Sequence, residues 1–115
     1  MRSIILIALL LIGDSLFAQS TLDQFKKAID DKEFVEALRY TPEVVNQNRK
    51  DNMILMLAAD VYMEMELPDS AVSVLAIAMD NDDDSPILNR EYAMALSKAN
   101  RTSMALSVKI GRAHV

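Results

Sequence analysis

Apolar residues recur at helical spacing along most of the chain, and a set of alanines gives that pattern a fixed period. Ala37, Ala71 and Ala105 are 34 residues apart, and Ala59 and Ala93 keep the same separation. An apolar stripe at positions i, i+3, i+4 and i+7 predicts an amphipathic helix. A period of this length predicts pairs of helices that stack, because each pair can bury its apolar face only against its neighbours.

The clearest pair of helices is predicted between residues 52 and 85. The first helix, from about residue 52 to 66, has an apolar face made of Leu55, Ala58, Ala59, Tyr62 and Met65. A turn at 67–70 follows, because proline disfavours helix in the residue before it. The return helix ends near residue 80, and its apolar stripe contains Ala71, Val74, Leu75 and Ala78. The recurring alanines are small enough for the two helices to approach closely.

Residues 19–51 are predicted to form a less regular pair. Its first helix runs from about residue 20 to 31, with Phe25 and Ala28 on the apolar face. The return helix starts at Phe34 and meets Pro42, which lacks the backbone N–H that a helix interior needs. We expect the chain either to kink at Pro42 or to begin a short new helix there.

Residues 86–109 are predicted to form a third pair that is cut short. Ser85 and Pro86 are typical of a helix start, as N-cap and first helical residue. Asn100 tolerates the left-handed conformation, which predicts a turn at this residue. Thr102 would then cap a last helix that contains Ala105.

The two ends of the chain are predicted to lie outside the repeats. Residues 1–18 have a basic start, an apolar run from Ile4 to Ile12 and a polar segment before Ala18, which is the layout of a secretory signal peptide cut before Gln19. The apolar run is less than half of the roughly 20 residues that a membrane-spanning helix needs. Residues 110–115 match the translation of a common sequencing adapter, so we expect the natural chain to continue with further repeats beyond about Val108.

The charge and the composition exclude several classes of function. The chain has 17 Asp and Glu against 12 Lys and Arg, a net charge of −5, and an acidic surface repels the phosphates of nucleic acids. There is no cysteine, and the one histidine is His114, in the suspect tail. Disulfides and thiol chemistry are therefore excluded, and the predicted helices lack the commonest general base. We expect no nucleic-acid partner.

The period and its small residues resemble the tetratricopeptide repeat (TPR) family. The resemblance is clear over residues 52–85, truncated over 86–109 and degenerate over 19–51, which makes about two and a half repeats within 19–109. The tryptophan and glycines usual in the family are replaced by Leu55, Ala59, Glu66 and Asn100. The resemblance implies an all-α fold in which antiparallel helical hairpins form a right-handed stack. The alternative is a generic helical bundle.

In TPR proteins, the first helix of each hairpin lines a concave groove that binds a partner. In this sequence the groove positions fall on Met53, Met56, Asp60, Met63 and Glu64 in the second repeat, and on Ile87, Arg90, Met94, Ser97 and Lys98 in the third. A methionine-lined, partly acidic groove suits an apolar or basic segment of a protein or peptide, because thioether side chains adapt their shape. The alternative is that these methionines pack against the next repeat or face solvent.

Residues 80–91 resemble a calcium-binding EF-hand loop, with acids at the first, third, fifth and twelfth positions. Ser85 occupies the sixth position, which needs glycine for a left-handed turn, and Pro86 favours an extended Ser85. The other acids are scattered, and no phosphate-binding loop or nucleophile motif occurs in the sequence. We therefore expect no metal, no cofactor and no catalytic residue.

Together these patterns predict a non-catalytic module for protein–protein interaction or assembly, exported to the periplasm or secreted from a bacterium. The alternative is the repeat region of a larger envelope enzyme or transporter-associated protein. No membrane span is expected after cleavage of the signal. The last hairpin of a short stack lacks a neighbour, so self-association through that hairpin is also expected.

Overall fold

The structure, a computed structural model, describes residues 20–82 and 84–113, with side chains as far as Arg101. These ranges contain helices and connections, with no strand. The helices are α1 (residues 20–30), α2 (Phe34–Gln47), α3 (Asn52–Glu64), α4 (Pro68–Asn81) and α5 (Pro86–Ala113). The all-α prediction is therefore confirmed for the described part of the chain. The predicted signal peptide lies outside the described residues.

The helix boundaries repeat along the chain with the period of the sequence. α2 and α4 start 34 residues apart, at Phe34 and Pro68, and α3 and α5 start 34 residues apart as well. Helices that follow one another in the chain pack together, α2 on α3, α3 on α4 and α4 on α5. The period therefore describes the backbone as well as the spacing of the alanines.

The turns that join α1 to α2 and α3 to α4 have the same geometry. Lys32 and Glu66, one period apart, adopt the left-handed conformation with φ of 57° and 58°. In both turns the N–H of the next residue donates to the carbonyl five positions earlier, at 2.8 Å. These bonds and the left-handed residue define a Schellman motif, which supplies donors for carbonyls that the helix end leaves free. Two helices thus end in the same way at equivalent positions.

The starts of α3 and α5 are also equivalent. The side chain of Asp51 accepts a hydrogen bond from the N–H of Ile54 at 3.3 Å. One period later, the Oγ of Ser85 accepts from the N–H of Leu88 at the same distance. Each bond satisfies one of the backbone donors that the first turn of a helix leaves without an internal acceptor. The prediction of Ser85 as an N-cap is confirmed.

α2 remains one helix across Pro42. Of the two predicted alternatives, the start of a new helix at Pro42 is wrong, because α2 is continuous from Phe34 to Gln47. Thr41 is fully buried, and its hydroxyl donates to the carbonyl of Ala37 at 2.8 Å. The proline ring is exposed, while Ala37, Thr41 and Val44 stay on the buried face. Packing of that face holds the helix through a residue that would weaken it in isolation.

α3 is covered on two adjacent sides. Its buried apolar residues form one group of Ile54, Ala58 and Val61 and a second group of Leu55 and Ala59. At 3.6 residues per turn these groups lie about a third of a turn apart, so one neighbouring element cannot cover both. α3 therefore lies between a preceding and a following element.

α1 and α5 show which neighbour covers each group. In α1, Gln24 is exposed at the position equivalent to Ala58, while Phe25, equivalent to Ala59, is buried. In α5 the pattern reverses, because Leu88 and Ala95 are buried whereas Ala93, equivalent to Ala59, is exposed. The first group therefore packs on the preceding pair of helices, and the second packs on the return helix of its own pair. Among the described side chains of α5, Ala93 on this second side is exposed and Leu96 is half-buried.

The predicted turn at Asn100 and the separate last helix are wrong. α5 continues through Asn100 and Thr102 as far as Ala113. A turn here would gain stability only if the following helix packed against the side of α5 that contains Ala93, and Ala93 is exposed in the structure. Without such cover, a continuous helix is favoured because it keeps the backbone hydrogen bonds that a turn would break. Residues 86–109 thus form part of one helix in place of the predicted third hairpin.

Candidate partner-binding face

The residues predicted to line a groove lie on the first helices of two successive units. We call this surface the α3/α5 face, and it consists of Met53, Met56, Asp60, Met63 and Glu64 on α3, with Ile87, Arg90, Met94, Ser97 and Lys98 on α5. Eight of these ten side chains are exposed, and Met56 and Met63 are half-buried. None of the ten residues of the α3/α5 face is therefore fully buried.

Large exposed apolar side chains are concentrated on the α3/α5 face. Met53 is 76% exposed, Ile87 56% and Met94 53%. Met53 and Ile87 are one period apart, so α3 and α5 present an apolar side chain at the same position. By contrast, Met56 and Met63 pack against the hydrophobic core. The interpretation of the methionines as packing residues therefore holds for these two, while Met53 and Met94 face solvent.

A cleft runs where the C-terminal part of α3 faces α5. It has a volume of about 280 Å³ and is lined by Met63, Met94, Ser97, Lys98 and Arg101. An adjoining depression of about 370 Å³ extends it towards the start of α4 and is lined by Met63, Glu66, Pro68, Lys98 and Arg101. The cleft is thus lined by two thioether side chains, Met63 and Met94, and by two cations, Lys98 and Arg101.

Arg101 is a part of this cleft that the sequence did not indicate. The predicted turn at Asn100 would have moved Arg101 away from Lys98. Because α5 continues through Asn100, Arg101 lies three residues beyond Lys98 and shares its side of the helix. Arg101 could have been assigned to this cleft from the sequence only if α5 had been predicted to continue through Asn100.

Three carboxylates lie close together on this surface, Asp60 and Glu64 on α3 and Glu91 on α5. Partial burial raises the pKa of Asp60, and the negative charges of Glu91 and Glu64 raise it further. Glu91 was not predicted as a face residue, because its equivalent in α3 is the half-buried Leu57 and not a groove position. Glu91 lies near Asp60 because two units pack together, and the sequence of neither helix alone indicates this proximity.

The charges and apolar groups are ordered along α5. Glu91, Met94, Lys98 and Arg101 follow at helical spacing, so an acid, a thioether and two cations share one side. A helix rises about 1.5 Å per residue, which separates Glu91 from Lys98 by about 10 Å. A segment of several residues with an apolar centre could therefore contact both charged ends at once.

The acidic loop between α4 and α5 is used for local structure. A carboxylate oxygen of Asp82 accepts from the N–H of Asp84 at 3.2 Å, and Ser85 caps α5. In the described ranges, no group of three or more His, Cys, Asp or Glu side chains is placed to hold a metal ion. Nor does any helix of the described residues combine the length and apolar character needed to cross a membrane.

Comparison with protein-family models, curated proteins and solved structures gave no match for this chain. The functional interpretation therefore depends on the period of the helices, the residues exposed on the α3/α5 face and the distribution of charge along it.

Proposed function

We propose that the chain is an exported, non-catalytic repeat module of the TPR type that binds a segment of another protein across the α3/α5 face. The partner segment has an apolar centre that contacts the methionines and a basic residue directed towards Asp60, Glu64 and Glu91. The proposed location, the periplasm or the exterior of a bacterium, depends on the signal-peptide layout of residues 1–18.

The observation that carries this proposal is the exposure of Met53, Ile87 and Met94 on helices whose other large apolar side chains, as far as they are described, are buried or half-buried. Exposed apolar side chains that cluster on one surface are typical of interaction sites. Methionine suits such a surface, because its flexible side chain adapts to different partners.

The electrostatics support the basic character of the partner. The pKa of Asp60 is raised first by its partial burial and then by repulsion from the negative charges of Glu91 and Glu64. A lysine or arginine from a partner would relieve that repulsion, whereas a phosphate would increase it. The contacts lie at the surface, so binding is expected to weaken as the salt concentration rises.

Selection from a random peptide library tests the proposal. We expect enrichment of peptides in which an apolar residue is flanked by Lys or Arg. The double variant Met53→Glu/Met94→Glu should lower the affinity for these peptides at least about tenfold, since burial of each thioether side chain contributes about 1.5–3 kcal/mol.

Val35→Glu is the matched control. Val35 is a large apolar residue, 69% exposed, and it lies on α2, outside the α3/α5 face. It should leave peptide binding unchanged while adding the same type of charge. Enrichment of no peptide, or equal binding by the double variant and the parent, would refute the proposed function.

A further inference from the structure

The charge of the chain changes sign within α5. All 17 Asp and Glu residues lie at or before Glu91, in a part of the chain that contains eight Lys and Arg. After Glu91 the sequence contains four Lys and Arg and no acid. The two of these cations whose side chains the structure describes are Lys98 and Arg101, and both are exposed. α5 therefore presents a basic surface on a chain whose net charge is −5.

This basic surface coincides with the cleft of about 280 Å³ between α3 and α5. Lys98 and Arg101 line the cleft beside Met63 and Met94. The described residues that line it include no carboxylate, and Glu66 belongs to the adjoining depression. The walls of a cleft concentrate the field of the charges that line it. The lining therefore suits an occupant that has a negative group next to an apolar group.

Opposite charge lies a short distance away on the same surface, at the carboxylates of Asp60 and Glu91. Glu91, Met94, Lys98 and Arg101 lie within about 80° of one another around α5, at 3.6 residues per turn. Along the axis, Lys98 is about 10 Å and Arg101 about 15 Å beyond Glu91, at 1.5 Å per residue. Acidic and basic groups are thus separated by about 10–15 Å, with the thioether of Met94 between them.

We infer that the partner segment is extended and carries an acidic residue as well as a basic one. Its basic side chain contacts Asp60 and Glu91, and an apolar side chain two positions away contacts Met94. An Asp or Glu two positions further on contacts Lys98 and Arg101. Alternate side chains of an extended chain point to the same side, and four steps of about 3.3 Å span about 13 Å, which lies within the separation of the charges on α5.

The size of the cleft and the order of the charges favour this segment over others. A cube with the volume of the cleft has edges of about 6.5 Å, whereas a helix with its side chains is about 10–12 Å across. A segment with lysine at both ends would place like charges together at Lys98 and Arg101. A segment with acids at both ends would do so at Asp60 and Glu91. Such like-charge contacts disfavour both alternatives.

Three synthetic peptides test the inference, which rests on the proposed function. They contain Lys-Ser-Leu-Ser-Glu, Lys-Ser-Leu-Ser-Gln and Lys-Ser-Leu-Ser-Lys, and both ends are blocked so that only side chains carry charge. Binding to the full chain is measured by fluorescence anisotropy at low salt. The Glu peptide should bind about two- to fivefold more tightly than the Gln peptide, as expected for an exposed ion pair, and the Lys peptide most weakly. Equal binding of the Glu and Gln peptides, or tightest binding of the Lys peptide, would overturn the inference.

Reversal of one charge on the protein gives a second measurement. Arg101→Glu should invert the order, so that the Lys peptide binds more tightly than the Glu peptide. Arg101→Gln removes the charge without adding another and should reduce the difference between the Glu and Gln peptides. Arg101 is exposed, so unchanged circular dichroism is expected for both variants.

Arg49→Glu is the matched control for Arg101→Glu, because it changes the net charge by the same amount. Arg49 is exposed and precedes the start of α3 at Asn52, whereas Met63 of the cleft lies at the other end of that helix. The control should keep the order of affinities of the parent. The same inversion in both variants would show that net charge, and not a contact in the cleft, sets the preference, and would refute the inference.

The peptide selection separates this inference from the proposed function. Selected peptides that have an apolar residue and Lys or Arg, with no excess of Asp or Glu four positions from the basic residue, would retain the proposed function and refute the inference alone. Selection of no peptide would refute both. A peptide that ends after the leucine with a free carboxylate, and binds as tightly as the Glu peptide, would assign the two cations to a chain end and overturn the acidic side chain.

Discussion

Replacement of Ala71 by leucine tests whether the period of alanines marks close contacts between helices. Ala71 is completely buried on the face of α4 that packs against α3. Leucine adds three carbon atoms where neighbouring side chains already fill the space. The helices must then separate or the side chain must adopt a strained rotamer, which typically costs about 1–3 kcal/mol.

The magnitude can be converted into a melting temperature. For a domain of about this length, 1 kcal/mol lowers Tm by about 4–8 °C, so Ala71→Leu should lower Tm by about 4–24 °C. Thermal unfolding followed by far-ultraviolet circular dichroism measures the change. The measurement is made at two protein concentrations, because association between chains would make Tm depend on concentration.

Ser73→Leu is the matched control for Ala71→Leu. Ser73 lies on the same helix, two residues further on, and is exposed. Its hydroxyl donates to the carbonyl of Asp69 at 3.2 Å, an exposed contact that contributes little. We expect a change within about 0.5 kcal/mol. If Ala71→Leu were as stable as the parent, Ala71 would not be enclosed between helices and the structural meaning of the period would be refuted.

Two further predictions concern charge and capping. Asp60→Asn should raise Tm at neutral pH, because the raised pKa of Asp60 means that folding disfavours its charged form. The penalty for charging Asp60 grows as pH rises from 3.8, the ordinary pKa of aspartate, through the raised pKa of the folded protein. The increase in Tm from Asp60→Asn should therefore vanish in acid. An increase in Tm that did not depend on pH would contradict this explanation. Asp51→Ala removes the side-chain bond to the N–H of Ile54 and should lower the free energy of unfolding by about 0.5–2 kcal/mol in urea titrations. Lys50→Ala, next to it and exposed, is the control and should change little.

The middle unit was the part of the fold best predicted from the sequence. The apolar stripe of the return helix, Ala71, Val74, Leu75 and Ala78, is buried in full. Local signals are sufficient here because each stripe has a neighbour on both sides. The turn before Pro68 and the cap at Ser85 are likewise determined by residues within a few positions of them.

The last unit was predicted wrongly because its sequence resembles that of the middle unit while its surroundings differ. Asn100 carries a turn signal at least as strong as that of Glu66, yet only Glu66 turns. A turn is stable when the two helices that it joins bury a shared face, which a single-residue preference cannot provide. Asparagine does favour a turn, but the packing of neighbouring helices decides whether a turn forms, and α5 continues through Asn100.

The candidate face was predicted in part. The groove positions on α3 and α5 are solvent-accessible as a set, including the exposed Met53 and Met94. Glu91 and Arg101 were missed, since one occupies a position that is apolar in the preceding unit and the other was assigned to a turn. Whether any of these residues binds a partner remains a prediction that the peptide selection is designed to test.

The sequence by itself determined the period, the helical character and the position of most helix ends, because these depend on contacts within one or two turns of the chain. Only the tertiary structure decided that α2 crosses Pro42, that Glu91 lies near Asp60 and that α5 continues through Asn100. Each of these outcomes depends on whether a second helix covers a given side of the first. Such cover is a property of neighbours in space, which a local pattern of residues does not specify.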